Sequence, residues 1–157
     1  MATTRRATSS DQTALGRYGA ALMRQHHESD PRRFILTERP ELGYGRFLVS
    51  QLDDAECLVM VAEEEGQVVG YVYASLEPLS WRDLRGPCGF IHDVFVDEAA
   101  RQRGIGRELV SAAVAWIHSH GMSQVVLWSK SKNESAQRLF AGLGFRSTMI
   151  EMTLDRP

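Results

Sequence analysis

Residues 96 to 117, VDEAARQRGIGRELVSAAVAWI, constrain the fold more than any other stretch of this chain. A β-branched and aromatic run through Ile91, Val94, Phe95 and Val96 stops, a turn rich in arginine and glycine follows, and helical periodicity begins. Ile105, Leu109, Ala112, Ala113, Trp116 and Ile117 keep the spacing of one helix face, so the segment reads as strand, glycine turn, helix. Such a junction presents the unpaired N–H groups of a first helical turn and the positive end of the helix dipole. Gly104 and Gly106 carry no side chain, so a ligand can close on the backbone, and an anion such as a phosphate belongs there. Arg101, Arg103 and Arg107 add cations around the same spot.

Spacing decides which phosphate-binding pattern this is. No Gly-Lys pair is followed by Ser or Thr, which removes the P-loop. The dinucleotide fingerprint would need a small residue at Leu109 and an acidic residue near Gln124, and has neither. What remains is R-x-x-G-x-G, formed by Arg101, Gln102, Arg103, Gly104, Ile105 and Gly106. The competing reading is an ordinary strand-to-helix turn with solubilising arginines. A second pattern, N-x-x-A-x-x-L-F-x-x-x-G-F, runs through Asn133, Ala136, Leu139, Phe140, Gly144 and Phe145.

Together the two stretches resemble the acetyl-CoA-binding half of the GCN5-related N-acetyltransferases, the GNAT superfamily, over residues 90 to 145. The resemblance implies a mixed central β-sheet flanked by helices, an α/β (α+β) acyl-CoA N-acyltransferase fold. It also implies acetyl-CoA as co-substrate, no metal, and acetyl transfer to a primary amine, with a small cationic amine preferred to a protein amine. By the same resemblance the amides of residues 101 to 106, with Arg107 beside them, hold the pyrophosphate. Val94, Phe95 and Val96 would border the pantetheine arm as if it were an added strand, and Asn133, Ala136 and Phe140 would line it. The motif usually carries tyrosine where this chain has Phe140, a ring that cannot donate a proton to a departing thiolate. That departure keeps a second function in view, a catalytically silent acetyl-CoA-binding sensor or regulatory module.

An amine with a pKa of about 10.4 must lose a proton before it can attack, so a base is needed. In the string IHDVFV, His92 falls where spermidine/spermine acetyltransferases, which this stretch resembles, carry a glutamate, and Asp93 matches their aspartate. Imidazole accepts a proton near neutrality. A hydrogen-bonded core histidine is the competing reading. In a regular strand Asp93 points to the face opposite His92, so only one of them reaches the acceptor unless a bulge intervenes. Glu77 is the reserve base.

A chain of 157 residues fits one domain over 1–157, with an acceptor side over about 1–89 and the cofactor half over about 90–157. With 18 Lys and Arg against 20 Asp and Glu, the net charge of −2 offers no basic stripe for nucleic acid. The segment MATTRRATSS lacks the apolar core of a signal peptide and no run reaches bilayer length, so no membrane partner and a cytoplasmic location are expected. A small-molecule amine is the expected partner, and a homodimer stays open. Cys57 and Cys88 read as buried or idle free thiols.

The remaining elements follow from periodicity. An edge strand is expected within 2–8, and a helix after Ser9 that ends before Pro31, with His26 and His27 at a solvated end. A second helix is expected between Pro40 and Asp54, weakened by Gly43 and Gly45. Strands 57–62 and 68–75 should form a hairpin around an acidic turn, and 89–96 should return after a loop in which Trp81 either folds onto the core or lines a site. Residues 123–129 read as a buried parallel strand, Asn133 as the cap of a last helix that buries Ala136, Leu139, Phe140 and Leu143, and 145–154 as a final strand or hairpin. Glu28, Asp30, Glu38 and Glu41 are candidates for an acidic acceptor site.

Overall fold

The computed structural model describes residues 1–157. Strand β1 (Thr3–Arg6) leads through a short 3-10 turn into helix α1 (Gln12–Ser29) and then α2 (Pro40–Ser50). Strands β2 (Cys57–Glu64), β3 (Gln67–Glu77) and β4 (Cys88–Val96) follow, then α3 (Ile105–Ser119), β5 (Val125–Leu127) and α4 (Glu134–Gly142). The five strands lie in the order β1-β2-β3-β4-β5, antiparallel up to β4 and parallel between β4 and β5. This is the mixed sheet that the strand, glycine turn and crossover helix required. No helix is long and apolar enough to cross a membrane.

Alternation along the strands builds a core on each side of the sheet. Leu58, Val72, Ala74 and Ile91 meet the apolar face of α3 through Leu109, Val110, Ala113 and Ile117. On the other side Val59, Val61, Tyr71 and Phe95 pack under Leu15 and Tyr18 of α1 and Leu48 of α2. Both cysteines are buried and free. The β2–β3 hairpin closes on only two residues, Glu65 and Gly66, with φ of 51° and 76°. Two successive positive φ values give the turn a twist that matches the flanking strands.

Gly45 does more than weaken α2. It faces Gly16 of α1, and a Cβ built at Gly45 would lie 2.8 Å from the Gln12 carbonyl oxygen, while one at Gly16 would fall against the carbonyl of Glu41. The two helix backbones touch because neither position has a side chain.

Three sequence expectations fail. The final strand over 145–154 does not form: those residues carry no strand, and Met149, Ile150, Met152 and Leu154 are exposed. β5 has only three residues to offer as a ladder, and ion pairs from Arg33 to Glu151 and from Arg32 to Asp155 hold the tail instead. Trp81 neither folds onto the core nor lines the main cleft; the loop between β3 and β4 closes on itself through Ser80 and Arg85 and leaves the indole in solvent. Helix α4 buries no residue fully, since it sits at the sheet margin with Leu139, Phe140 and Leu143 half-covered.

If backbone contact between α1 and α2 sets the acceptor-side core, Gly16→Ala should cost about 1–3 kcal/mol, the usual penalty of overpacking. Urea denaturation measures this, and Gly43→Ala, whose Cβ meets nothing within 4 Å, is the control that should cost nothing comparable.

Candidate active site

Beyond Ile91 the two parallel strands part. Their register ends at Ile91 opposite Leu127, so from His92 to Val96 one edge of β4 has no neighbouring strand. The opening is a cleft of about 330 Å³ between β4, the chain after β5, and the end of α1 with the segment that follows it. Val94, Asn133, Ala136 and Phe140 line one part of it, and His92, Asp93, Tyr44 and Phe34 another.

Register explains how His92 and Asp93 both reach this cleft. Tyr73 pairs with Asp93 and Ala74 with Ile91, which leaves His92 as the extra residue of a β-bulge. A regular strand would have sent the two side chains to opposite faces. The bulge turns both to the α1–α2 side, so the regular-strand alternative is corrected.

His92 is held tightly. Its imidazole lies between the rings of Tyr73 and Phe90, with centroids 4.9 and 4.7 Å away and interplanar angles of 28° and 17°. Its Nε2 is 2.7 Å from the Ser75 hydroxyl and 3.7 Å from Glu77, whose Oε1 accepts a 2.6 Å hydrogen bond from the same serine. Burial pushes the imidazole below its ordinary pKa, opposed by the Glu77 charge. At neutral pH the ring is therefore a free base. Glu77, the reserve base of the sequence, thus stands beside His92.

Asp93 is half-buried, and loss of solvation around its carboxyl pushes the group upward. Two phenols resist that shift: Tyr44 donates at 2.7 Å and Tyr71 at 3.0 Å, both to Oδ2. Burial in turn drives both tyrosines above their ordinary range. The carboxylate has no cationic partner in the chain.

At the far end of β4 the turn has the shape an anion needs. A 3-10 turn (Glu98–Ala100) follows the strand, and Gln102 and Gly104 take left-handed φ values of 61° and 83°. Gly104 is the N-cap of α3 and offers no side chain, so the first-turn amides of Ile105, Gly106 and Arg107 are uncapped. A Cβ at Gly106 would come within 3.4 Å of Leu139 and 3.8 Å of Val96, which marks the narrow space in front of the helix. The arginines are not equally free. Arg101 donates to the Val96 carbonyl and Arg103 pairs with Glu64 at 3.0 Å, whereas Arg107 has no hydrogen-bonded or ionic partner. Asn133 caps α4 by accepting from the Ala136 amide at 3.1 Å, which leaves its own NH₂ group to spare. Phe140 lines the cleft with its ring edge-on to Phe145.

Several lining residues had no sequence signal as a group. Phe34, Tyr44 and the pair Trp128 and Lys130 come from three separate segments and meet only through the fold. The histidines near the end of α1 are also not simply solvated: His26 bonds the Leu22 carbonyl, packs on Phe34 and lines the cleft, and His27 bonds the Phe34 carbonyl. The candidate acidic residues Glu28, Asp30, Glu38 and Glu41 do not line it. No group of three or more His, Cys, Asp or Glu side chains is arranged to hold a metal.

The sequence model of the Acetyltransferase (GNAT) family matches residues 20–145. A mycothiol acetyltransferase from Thermobispora bispora is 32% identical over 96 residues, 61% of this chain and 32% of that protein. The chain thus spans about a third of the length of the mycothiol acetyltransferases it matches. An uncharacterized N-acetyltransferase, YhfO of Bacillus subtilis, is 27% identical over 143 residues, covering 90% of this chain and 87% of the other. Among solved structures, the BH1408 protein of Bacillus halodurans superposes with a TM-score of 0.86 at 25% identity, over 99% of each chain.

The two phenols should tune the Asp93 carboxylate. Tyr44→Phe removes a donor to the charged form, so the Asp93 pKa should rise further. Carboxyl-carbon NMR titration of both forms reads the shift.

Proposed function

The chain belongs to the acetyltransferase (GNAT) family, and from that premise we propose that it moves the acetyl group of acetyl-CoA to a primary amine by direct attack on the thioester. The observation that carries this reading is the open edge of β4, which joins the bulge at His92 and Asp93 to the glycine turn at the start of α3. One strand thereby serves both ends of the cleft.

In this reading the uncapped amides of the turn, with Arg107 beside them, take the pyrophosphate. Peptide-like groups of the pantetheine arm bond the free edge of β4 at Val94 to Val96 in the manner of an added strand, with the spare Asn133 amide opposite. The acceptor enters from the α1–α2 side. Its ammonium has a pKa of about 10.4 and gives up a proton to His92, the base that is neutral at pH 7. The neutral nitrogen then bonds to the acetyl carbon and the carbon–sulfur bond breaks; the second proton of the nitrogen is lost to solvent as the amide forms, and the thiolate leaves and is protonated by solvent. Phe140 supplies no proton, and a thiol of pKa about 8.5 makes a tolerable leaving group unaided.

Asp93 supports a small cationic acceptor over a protein amine. A half-buried carboxylate that lines the cleft with phenols but no cation beside it suits an ammonium-bearing molecule. A relative named for mycothiol also fits a small-molecule acceptor. Residues about 1–89 form the acceptor side of one domain and about 90–157 the acetyl-CoA half. No observation favours the silent binding module.

Turnover of acetyl-CoA against a panel of small amines and lysine peptides tests the reaction and its acceptor class. His92→Ala should lower kcat/KM by about 10² to 10⁴ at neutral pH and leave coenzyme A affinity intact. A loss of only twofold would remove His92 as base. Separately, Gly106→Val should weaken coenzyme A about tenfold or more by calorimetry, because a branched side chain fills the space before the helix amides.

A further inference from the structure

The hydrogen bonds around His92 determine which of its nitrogens can act. The Glu77 carboxylate has only acceptors to offer, and the single hydroxyl hydrogen of Ser75 goes to it. The Ser75 oxygen at 2.7 Å from Nε2 must then accept, so Nε2 carries the hydrogen. In a neutral imidazole the other nitrogen is then bare. Nδ1 has no hydrogen-bond partner within the chain, and His92 borders the cleft. The rings of Tyr73 and Phe90 on either side keep the imidazole from turning over.

We propose that Ser75 and Glu77 are positioning residues that fix His92 as its Nε2–H tautomer and leave Nδ1 as the atom that takes the acceptor's proton. This rests on His92 being the base. When Nδ1 takes the proton from the ammonium, the ring becomes imidazolium. Its Nε2–H still donates to Ser75, which still donates to Glu77, so a charge formed at the cleft is balanced by a carboxylate one hydroxyl away. No proton need leave Nε2. Ser75 is only 7% exposed, so water is a poor substitute for its hydroxyl. Nothing in the sequence singles out this serine, because its role arises from the bulge that brings His92 across to β3.

Other titratable groups face the same space: the Tyr73 phenol on β3, Asp93 beside His92 on β4, Tyr44 of α2, His26 of α1 and Lys130 after β5. None of them forms an ion pair with the ring; Glu77 is the charge placed to support the imidazolium, at 3.7 Å from Nε2. Removing it makes the protonated ring less favourable. In Glu77→Gln the acid limb of kcat/KM should therefore move to lower pH with activity kept above it, whereas if Glu77 were itself the base kcat/KM should fall at every pH.

Nitrogen NMR of histidine-labelled protein reads the tautomer without reference to activity. His92 should show a protonated Nε2 and a bare Nδ1 near pH 8. Ser75→Ala should give mixed tautomers, lower kcat by about tenfold and leave the KM for acetyl-CoA unchanged, and Ser75→Thr, which keeps the hydroxyl, should restore most of both. An Nδ1–H tautomer in the parent protein, or a Ser75→Ala variant with unchanged tautomer and pH profile, would overturn the proposal. His92→Ala separates the two layers. A large loss there with a neutral Ser75→Ala removes the positioning role and leaves the base in place, whereas full activity in His92→Ala removes the base reading and the positioning role with it.

Discussion

The parting of β4 from β5 is the constraint on which the site depends. An inner strand normally has both edges satisfied by its two neighbours, and here the pairing with β5 ends after Ile91 and Leu127. The strand does not fray, because its other edge is bonded to β3 from Cys88 to Val96 and its side chains lie in both cores. A rigid strand with one open edge results. It can bond an extended ligand through its backbone and aim side chains at what that ligand carries.

The bulge adds the second requirement. Without the extra residue at His92, either the imidazole or the Asp93 carboxylate would turn into the α3 side of the sheet, where Val72, Ala74 and Ile91 leave no polar partner. With it, two ionisable groups of different character share one cleft. Burial lowers the imidazole and raises the carboxyl, so in both groups the charged form needs support from a neighbour or a ligand. The carboxylate is kept by two phenols and the imidazole by a serine and a glutamate. Neither arrangement resembles a structural ion pair, since neither contains a fixed cation.

Much of this was legible from the chain alone, and the reasons differ by element. The glycine turn and α3 could be read because φ above zero at Gly104 and a sustained apolar helix face leave local marks in the sequence. Asn133 could be read as a cap from its place before an apolar face. The bulge could not, as it depends on how β4 registers against β3 and moves one side chain by one position. Tyr44, Tyr71 and Ser75 looked like ordinary residues of a helix and a strand, and only their meeting with Asp93 and His92 distinguishes them. The final strand was misread because alternation at 149–154 is necessary for pairing but not sufficient. The packing role of Gly45 left no mark for a related reason: propensity reports the cost of glycine in a helix and is silent about the neighbour it admits.

One strand and one turn must receive the same ligand. Backbone amide chemical-shift mapping during titration with coenzyme A tests this most directly, residue by residue and without assuming an acceptor. The largest shifts should fall at residues 101–107 and 94–96, with smaller ones at Asn133 and its neighbours and little change in β1. Saturable shifts confined to other surfaces, or none at the turn, would contradict it.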